Sequence, residues 1–369
     1  MSGLARPVVL VVAALVSVPA SVAGAAAAAP PASAAPATVP TSALTWVDEP
    51  VSFRAGSLTV YGTFRHPLGA KVPVPAALLI AGSGPTDRNG NSALEPGPVG
   101  TLQTLADWLS SDGVASLRYD KLGSGQTGLG PFALDPASIG IAPFEQESRS
   151  ALRFLAAQKD IDRRRLGVVG HSEGALFALL LATGRAGPAP PVRALALLEP
   201  LSERYLTVLS TQIEAQVGSQ EQAGEITPAL AGDVDRTLAG AVAQLRRDGT
   251  VPAGLPDELA NVLNSSTALF LSQADHDDPA AVAAALPART PVLVSCSDAD
   301  VQVSCAEVSH LLTGLHAADA RVDMVHLTDV DHVLKVDPSG SAADYSEPLP
   351  FSPQLETALA QFVQRTLQP

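Results

Sequence analysis

The sequence predicts an α/β protein with a mostly parallel central sheet, helices on both faces and one helical insertion. Three observations carry this. Short unbroken apolar runs, such as Ala76–Ile80, Leu166–Val169 and Ala194–Leu198, read as strands buried on both faces. Segments of helical periodicity alternate with them, the rhythm of crossover units in a parallel sheet. Between Leu201 and Arg289 that rhythm stops, and amphipathic helical patterns alone remain.

Taken in order, Pro50–Phe53 and Ser57–Phe64 read as early strands paired about the Ala55-Gly56 turn. Ala76–Ile80 ends in the glycine-rich stretch Gly82-Ser83-Gly84-Pro85. A helix near Leu102–Leu109 and a strand at Val114–Tyr119 follow, then a helix over Phe144–Gln158 and the strand Leu166–Val169. Gly174–Ala182 is an apolar helix and Ala194–Leu198 a buried strand. Pro291–Ser295 and Arg321–Leu327 complete the strands, separated by a helix over Cys305–Ala317. Pro353–Thr366 is a final amphipathic helix. In the insertion, Tyr205–Val217, Pro228–Leu245 and Leu255–Leu263 carry helical periodicity, and residues 201–289 are expected to cap the carboxyl ends of the strands. The core is then expected to span residues 45–200 and 290–369.

The chain of 369 residues, 46% hydrophobic, is ample for a large core. Its formal charge of −14 argues against nucleic-acid and anionic-lipid partners. Residues 1–25 read as an export signal: Arg6, the apolar run from Pro7 to Val16, and small residues at Ala23-Gly24-Ala25. Ser17, Pro19 and Ser21 interrupt that run, which argues against a retained membrane anchor. Residues 26–44 read as an Ala/Pro-rich linker. A secreted or cell-envelope location follows. In that setting the only cysteines, Cys296 and Cys305, are expected to form a disulfide, and no metal-ligand spacing accompanies them.

Gly170-His171-Ser172-Glu173-Gly174 is a G-x-S-x-G pattern set between a buried strand and an apolar helix. That context, more than the pattern, makes Ser172 the candidate nucleophile on a strained turn. A serine hydroxyl needs a base. Of seven histidines, His171 is expected to point away from the hydroxyl. His66, His276, His310, His316 and His326 lie outside the loops at the carboxyl edge of the sheet. His332, just beyond the last strand, is the candidate base. Asp298 and Asp300 follow the strand Pro291–Ser295; Asp300 is favoured as the acid that orients His332, with Asp298 the alternative. The Cys296–Cys305 bridge would flank this acid and staple its loop. Oxyanion donors are expected from the backbone N–H groups of Glu173 and Ser83. Gly82-Ser83-Gly84 lacks the lysine of a phosphate loop.

Several stretches resemble a bacterial group of the α/β-hydrolase superfamily, serine aminopeptidase-like hydrolases that include carboxylesterases. Ala81–Asn91 resembles its G-S-G-P-x-D-R-x-G-N segment, and Tyr119–Gly125 its Y-D-K-R-G-x-G stretch, with Leu122 in place of arginine. Gly170–Gly174 is similar to its G-H-S-E-G elbow. Asp300–Val303 and Val330–Lys335 resemble its acid and histidine segments, though Cys296–Ala299 lacks the usual glycine before the acid. The resemblance runs from about Val47 to the C-terminus. It implies an α/β-hydrolase fold with Ser172, Asp300 and His332 in that fold's chain order. It also implies hydrolysis of small-molecule acyl esters through an acyl-serine intermediate, without metal or cofactor. Asp87, Arg88 and Asp120 are expected to be structural. Amide hydrolysis and a catalytically inactive binding protein are the alternatives.

Overall fold

In the computed structural model, which describes residues 45–368, eight strands form one sheet in the order β1-β2-β4-β3-β5-β6-β7-β8. The expected signal (1–25) and linker (26–44) lie outside the described residues. β1 (Trp46–Ala55) and β2 (Leu58–Pro67) form an antiparallel hairpin whose register closes at Ala55 opposite Leu58. Gly56 turns the corner at φ 61°, a left-handed value that favours glycine. β2 pairs antiparallel with β4 (Ala115–Tyr119). From there, β3 (Val74–Ile80), β5 (Ile161–His171), β6 (Ala194–Leu198), β7 (Pro291–Ser297) and β8 (Arg321–Leu327) continue in parallel.

Alternation along the central strands divides the core into two layers. Ala76, Leu78, Leu166, Val168, Leu195 and Leu197 face one side. There they meet α2 (Ala142–Ala156), α3 (Glu173–Ala182) and α9 (Cys305–Ala317). Ala77, Leu79, Val169, Ala194 and Ala196 face the other side, against α1 (Thr101–Ser111) and α10 (Pro353–Thr366). α3 is apolar all round and wholly buried over Glu173–Leu181, because it sits between the sheet and the flanking helices.

Between β6 and β7 lie α4 (Tyr205–Gln222), α5 (Pro228–Asp248) and the short helices α6 (Asp257–Ala260), α7 (Ala268–Ala274) and α8 (Pro279–Ala283). The expected helix over Leu255–Leu263 is reduced to the single turn of α6. Gly254 at φ 75° and Pro256 at the N-cap confine it at the start, and the Asn264 side chain bonds back to the Ala260 carbonyl at 3.0 Å. These helices join the same apolar layer as α2 and α3. Phe270 of α7 packs edge-on against Phe144 of α2, with ring centroids 5.1 Å apart.

The strand order also fixes where a site can form. β3 connects toward β4 on one side, whereas β5 connects toward β6 on the other, so the chain diverges at the carboxyl ends of β3 and β5. Such a switch point leaves a crevice with loops on both sides. Gly82-Ser83 leaves β3 there, and Ser172 leaves β5.

Candidate active site

Ser172 closes β5 and opens α3 at φ 53° and ψ −122°, a conformation that a non-glycine residue holds only where its surroundings impose it. The two glycines of the pattern explain how so sharp a turn fits. A Cβ at Gly170 would run into the Gly174 carbonyl, and one at Gly174 into the carbonyls of Ile80 and Ala81. The turn is clamped by the Ser172 N–H donating to the Leu198 carbonyl at 3.0 Å.

Ser172 and His332 line one open cleft. His332 follows β8 on a loop pinned by backbone bonds from Asp331 N to Lys335 O and from Leu334 N to Asp331 O. Its Nδ1 lies 2.8 Å from Oδ2 of Asp300, and both side chains are almost fully buried. The other Asp300 oxygen accepts the N–H groups of Gln302 (2.7 Å) and Val303 (3.0 Å). Burial pushes the Asp300 carboxyl up, but the imidazole and these N–H donors outweigh it and hold it below the usual range. Asp298 is exposed and turns to the Asp329 N–H at 3.0 Å. Of the two aspartates, then, the fold brings Asp300 to the imidazole.

Ser83 also lines the cleft. The N–H groups of Ser83 and Glu173 meet no backbone acceptor among the described residues, and that of Glu173 heads α3, where no intrahelical partner exists. Ser83 and Ser172 thus line the same cleft, and Glu173 follows Ser172 at the head of α3. Cys296, in β7, and Cys305, at the start of α9, are joined by a disulfide with Cα atoms 5.2 Å apart. The bridge closes the loop that carries Asp300.

Three side chains matter more than their sequence positions suggest. His171, expected to point away, lines the cleft, and its Nε2 lies 2.7 Å from the His332 carbonyl. Burial, reinforced by His332, lowers its pKa to about 4, so the ring is neutral and donates Nε2–H to that carbonyl. Lys121 is buried; its ammonium donates to the Gly82 carbonyl and to Glu173 Oε1, each at 2.6 Å. The second Glu173 oxygen accepts the Tyr205 hydroxyl of α4 at 2.6 Å. The sequence signal for these was adjacency to Ser172 and the lysine of Tyr119–Gly125. Elsewhere, Arg88 pairs with buried Asp120 at 2.6 Å, and Asp87 accepts the N–H groups of Asn89 and Asn91. These close the loop after β3, as expected of structural residues.

The remaining histidines lie off the cleft: His66 pairs with Glu49, His310 with Asp278, and His276, His316 and His326 are exposed. The cleft walls come from residues 81–102, 302 and 333–345, among them Thr86, Glu95, Val99 and Tyr345. None comes from 201–289.

Sheet order, elbow and loop positions together define an α/β-hydrolase fold. Solved structures agree: the chain superposes at a TM-score of 0.51 on Est1E from Butyrivibrio proteoclasticus, solved with ferulic acid bound. Identity is 14%, over 86% of this chain and 100% of that one. A thermostable esterase from Pseudomonas putida gives 0.51 at 15% identity, over 88% and 84% of the two chains. An acylaminoacyl peptidase from Pyrococcus horikoshii gives 0.52 at 14% identity, over 88% of this chain and 43% of the peptidase. No family model matches the chain, and no curated protein matches its sequence.

Proposed function

We propose that the protein is a serine hydrolase that cleaves carboxylic acyl esters through an acyl-serine intermediate. The observation that carries this is the His332 imidazole, backed by buried Asp300 and lining one cleft with the strained Ser172. In this reading Ser172 Oγ attacks the ester carbonyl carbon and its proton passes to His332 Nε2. Asp300 holds the imidazole by Nδ1–H and stabilises the imidazolium. The carbonyl oxygen gathers negative charge between the N–H groups of Ser83 and Glu173. As the tetrahedral centre collapses, the C–O bond to the alcohol breaks and His332 returns the proton to the departing alkoxide. Water, deprotonated by His332, then adds to the acyl-serine and releases the acid.

An aminoacyl substrate is the second reading, favoured by Glu95, the only carboxylate among the described residues that line the cleft. A wall carboxylate suits an ammonium group on the substrate. Export from the cell also belongs to this proposal. It is supported by the disulfide and by the N-terminal pattern, and no described helix is long and apolar enough to cross a membrane. The proposal further takes residues 201–289 as a helical cap inserted into the core, supported by their lying entirely between β6 and β7.

Covalent labelling with a fluorophosphonate, alongside turnover of an aryl acetate and an aminoacyl anilide, tests the proposal. Labelling is expected in the native protein and absent in Ser172→Ala. Asp300→Asn is expected to lower kcat by roughly 10³–10⁴-fold, and Asp298→Asn to leave it within about twofold. Unlabelled native protein would sink the catalytic reading. Faster anilide than acetate turnover would favour the second.

A further inference from the structure

Glu199 is a buried titratable group that this mechanism leaves unused. It follows β6 directly, is 0% exposed and holds φ at 43°, so its side chain is fixed by backbone as well as by packing. Ser295 of β7 grips it twice: its hydroxyl accepts the Glu199 N–H at 3.1 Å and donates to Oε1 at 3.2 Å. Oε2 is sealed from water and meets no N–H or hydroxyl donor. What the Glu199 side chain does meet is the carboxyl of Asp300.

Two carboxyl groups in contact in a dry site cannot both carry a charge, so one proton lies between them. Donor counting decides where it resides. Asp300 already accepts from two backbone N–H groups and the His332 imidazole. Glu199 accepts from the Ser295 hydroxyl, with the Ser297 N–H also close. The better-solvated anion is Asp300. We infer that Glu199 is a positioning residue, a neutral carboxylic acid whose O–H donates to Asp300 and thereby sets how strongly Asp300 supports the His332 imidazolium. Burial, then the Asp300 charge, push the Glu199 carboxyl far above its usual range, in the same direction. Asp300, from the loop after β7, is the charged group facing it. His332 and His171 lie beyond Asp300, and Tyr345 flanks Asp300 from the loop after β8.

The inference rests on the serine hydrolase reading for its kinetic consequence, but the proton itself is observable without turnover. Infrared difference spectra of native and Glu199→Gln protein at neutral pH are expected to show a protonated-carboxyl band lost in the variant. No lost band would overturn the proposal whether or not the protein hydrolyses anything. In the pH profile of kcat/KM, the acid limb reports the essential base of the free enzyme. Glu199→Gln keeps Oε1 for Ser295 and an N–H donor for Asp300, so its limb should stay within about 0.2 units of native. Glu199→Leu removes the donor, leaves Asp300 more basic and should raise the limb by roughly half to one unit. A limb lowered in Glu199→Gln would mean that a charge had been removed, and would overturn the proposal. If Glu199→Leu does not fold, the Gln variant and the infrared band still decide.

Discussion

His171 precedes Ser172 in the chain, and its ring supports the site from behind by holding the carbonyl of His332. Its folded-state pKa of about 4 lies below the unfolded value of 6.5, which ties stability to acid. Above the unfolded value neither state takes a proton and the contact is intact. As pH falls from there, the unfolded chain gains a proton that the native ring refuses until about pH 4. Stability is therefore lost across that window, by about 3 kcal/mol for this group. Chemical denaturation of His171→Gln at neutral pH and near pH 4.5 is expected to show a smaller acid loss than native protein. An unchanged loss would mean that the ring is not sealed as described. At this scale the sequence was readable where loop position carries the signal: Asp300, not Asp298, lies against His332, and His332 lines the same cleft as Ser172. It was silent on Glu199, because nothing in Leu198-Glu199-Pro200 tells that the side chain turns inward to Asp300.

At the scale of elements, Lys121 ties the end of β4 to the loop after β3 and to the head of α3. Its partner Glu173 lies 52 positions away, which is why the pair could not be read from either motif alone. Both side chains are nearly sealed, at 4% and 2% exposure. Removing one partner of a buried pair strands the other charge and is typically worth about 3–5 kcal/mol. Lys121→Met should accordingly lower the melting temperature sharply, and the double variant Lys121→Met/Glu173→Gln should recover most of the loss. Equal melting of single and double variants would contradict this. Strand limits followed the same logic of context. Ala194–Leu198 was legible to the residue, since both its faces are buried and loops bound it. The hairpin strands run longer than their apolar stretches, because β1 is a half-exposed edge whose hydrogen bonds extend past its core-facing residues.

For the whole molecule, the alternating rhythm was enough to give the layered parallel sheet, because each buried strand demands a helix on each face. The insertion was harder to read. Its helices pack against α2 and α3 in the same apolar layer as the core, so periodicity could not reveal where they sit. Under the proposed function, a cleft with no lining residue from 201–289 has a kinetic signature of its own. A surface-activated lipase waits for an oil–water boundary to swing a helix aside; here Ser172, itself buried, lines a cleft open to solvent whose lining includes none of the insertion's helices. Turnover of a short-chain ester should rise smoothly with concentration and level off while the ester is still dissolved. A sudden jump as droplets appear would reveal a rearrangement that this arrangement of loops does not call for.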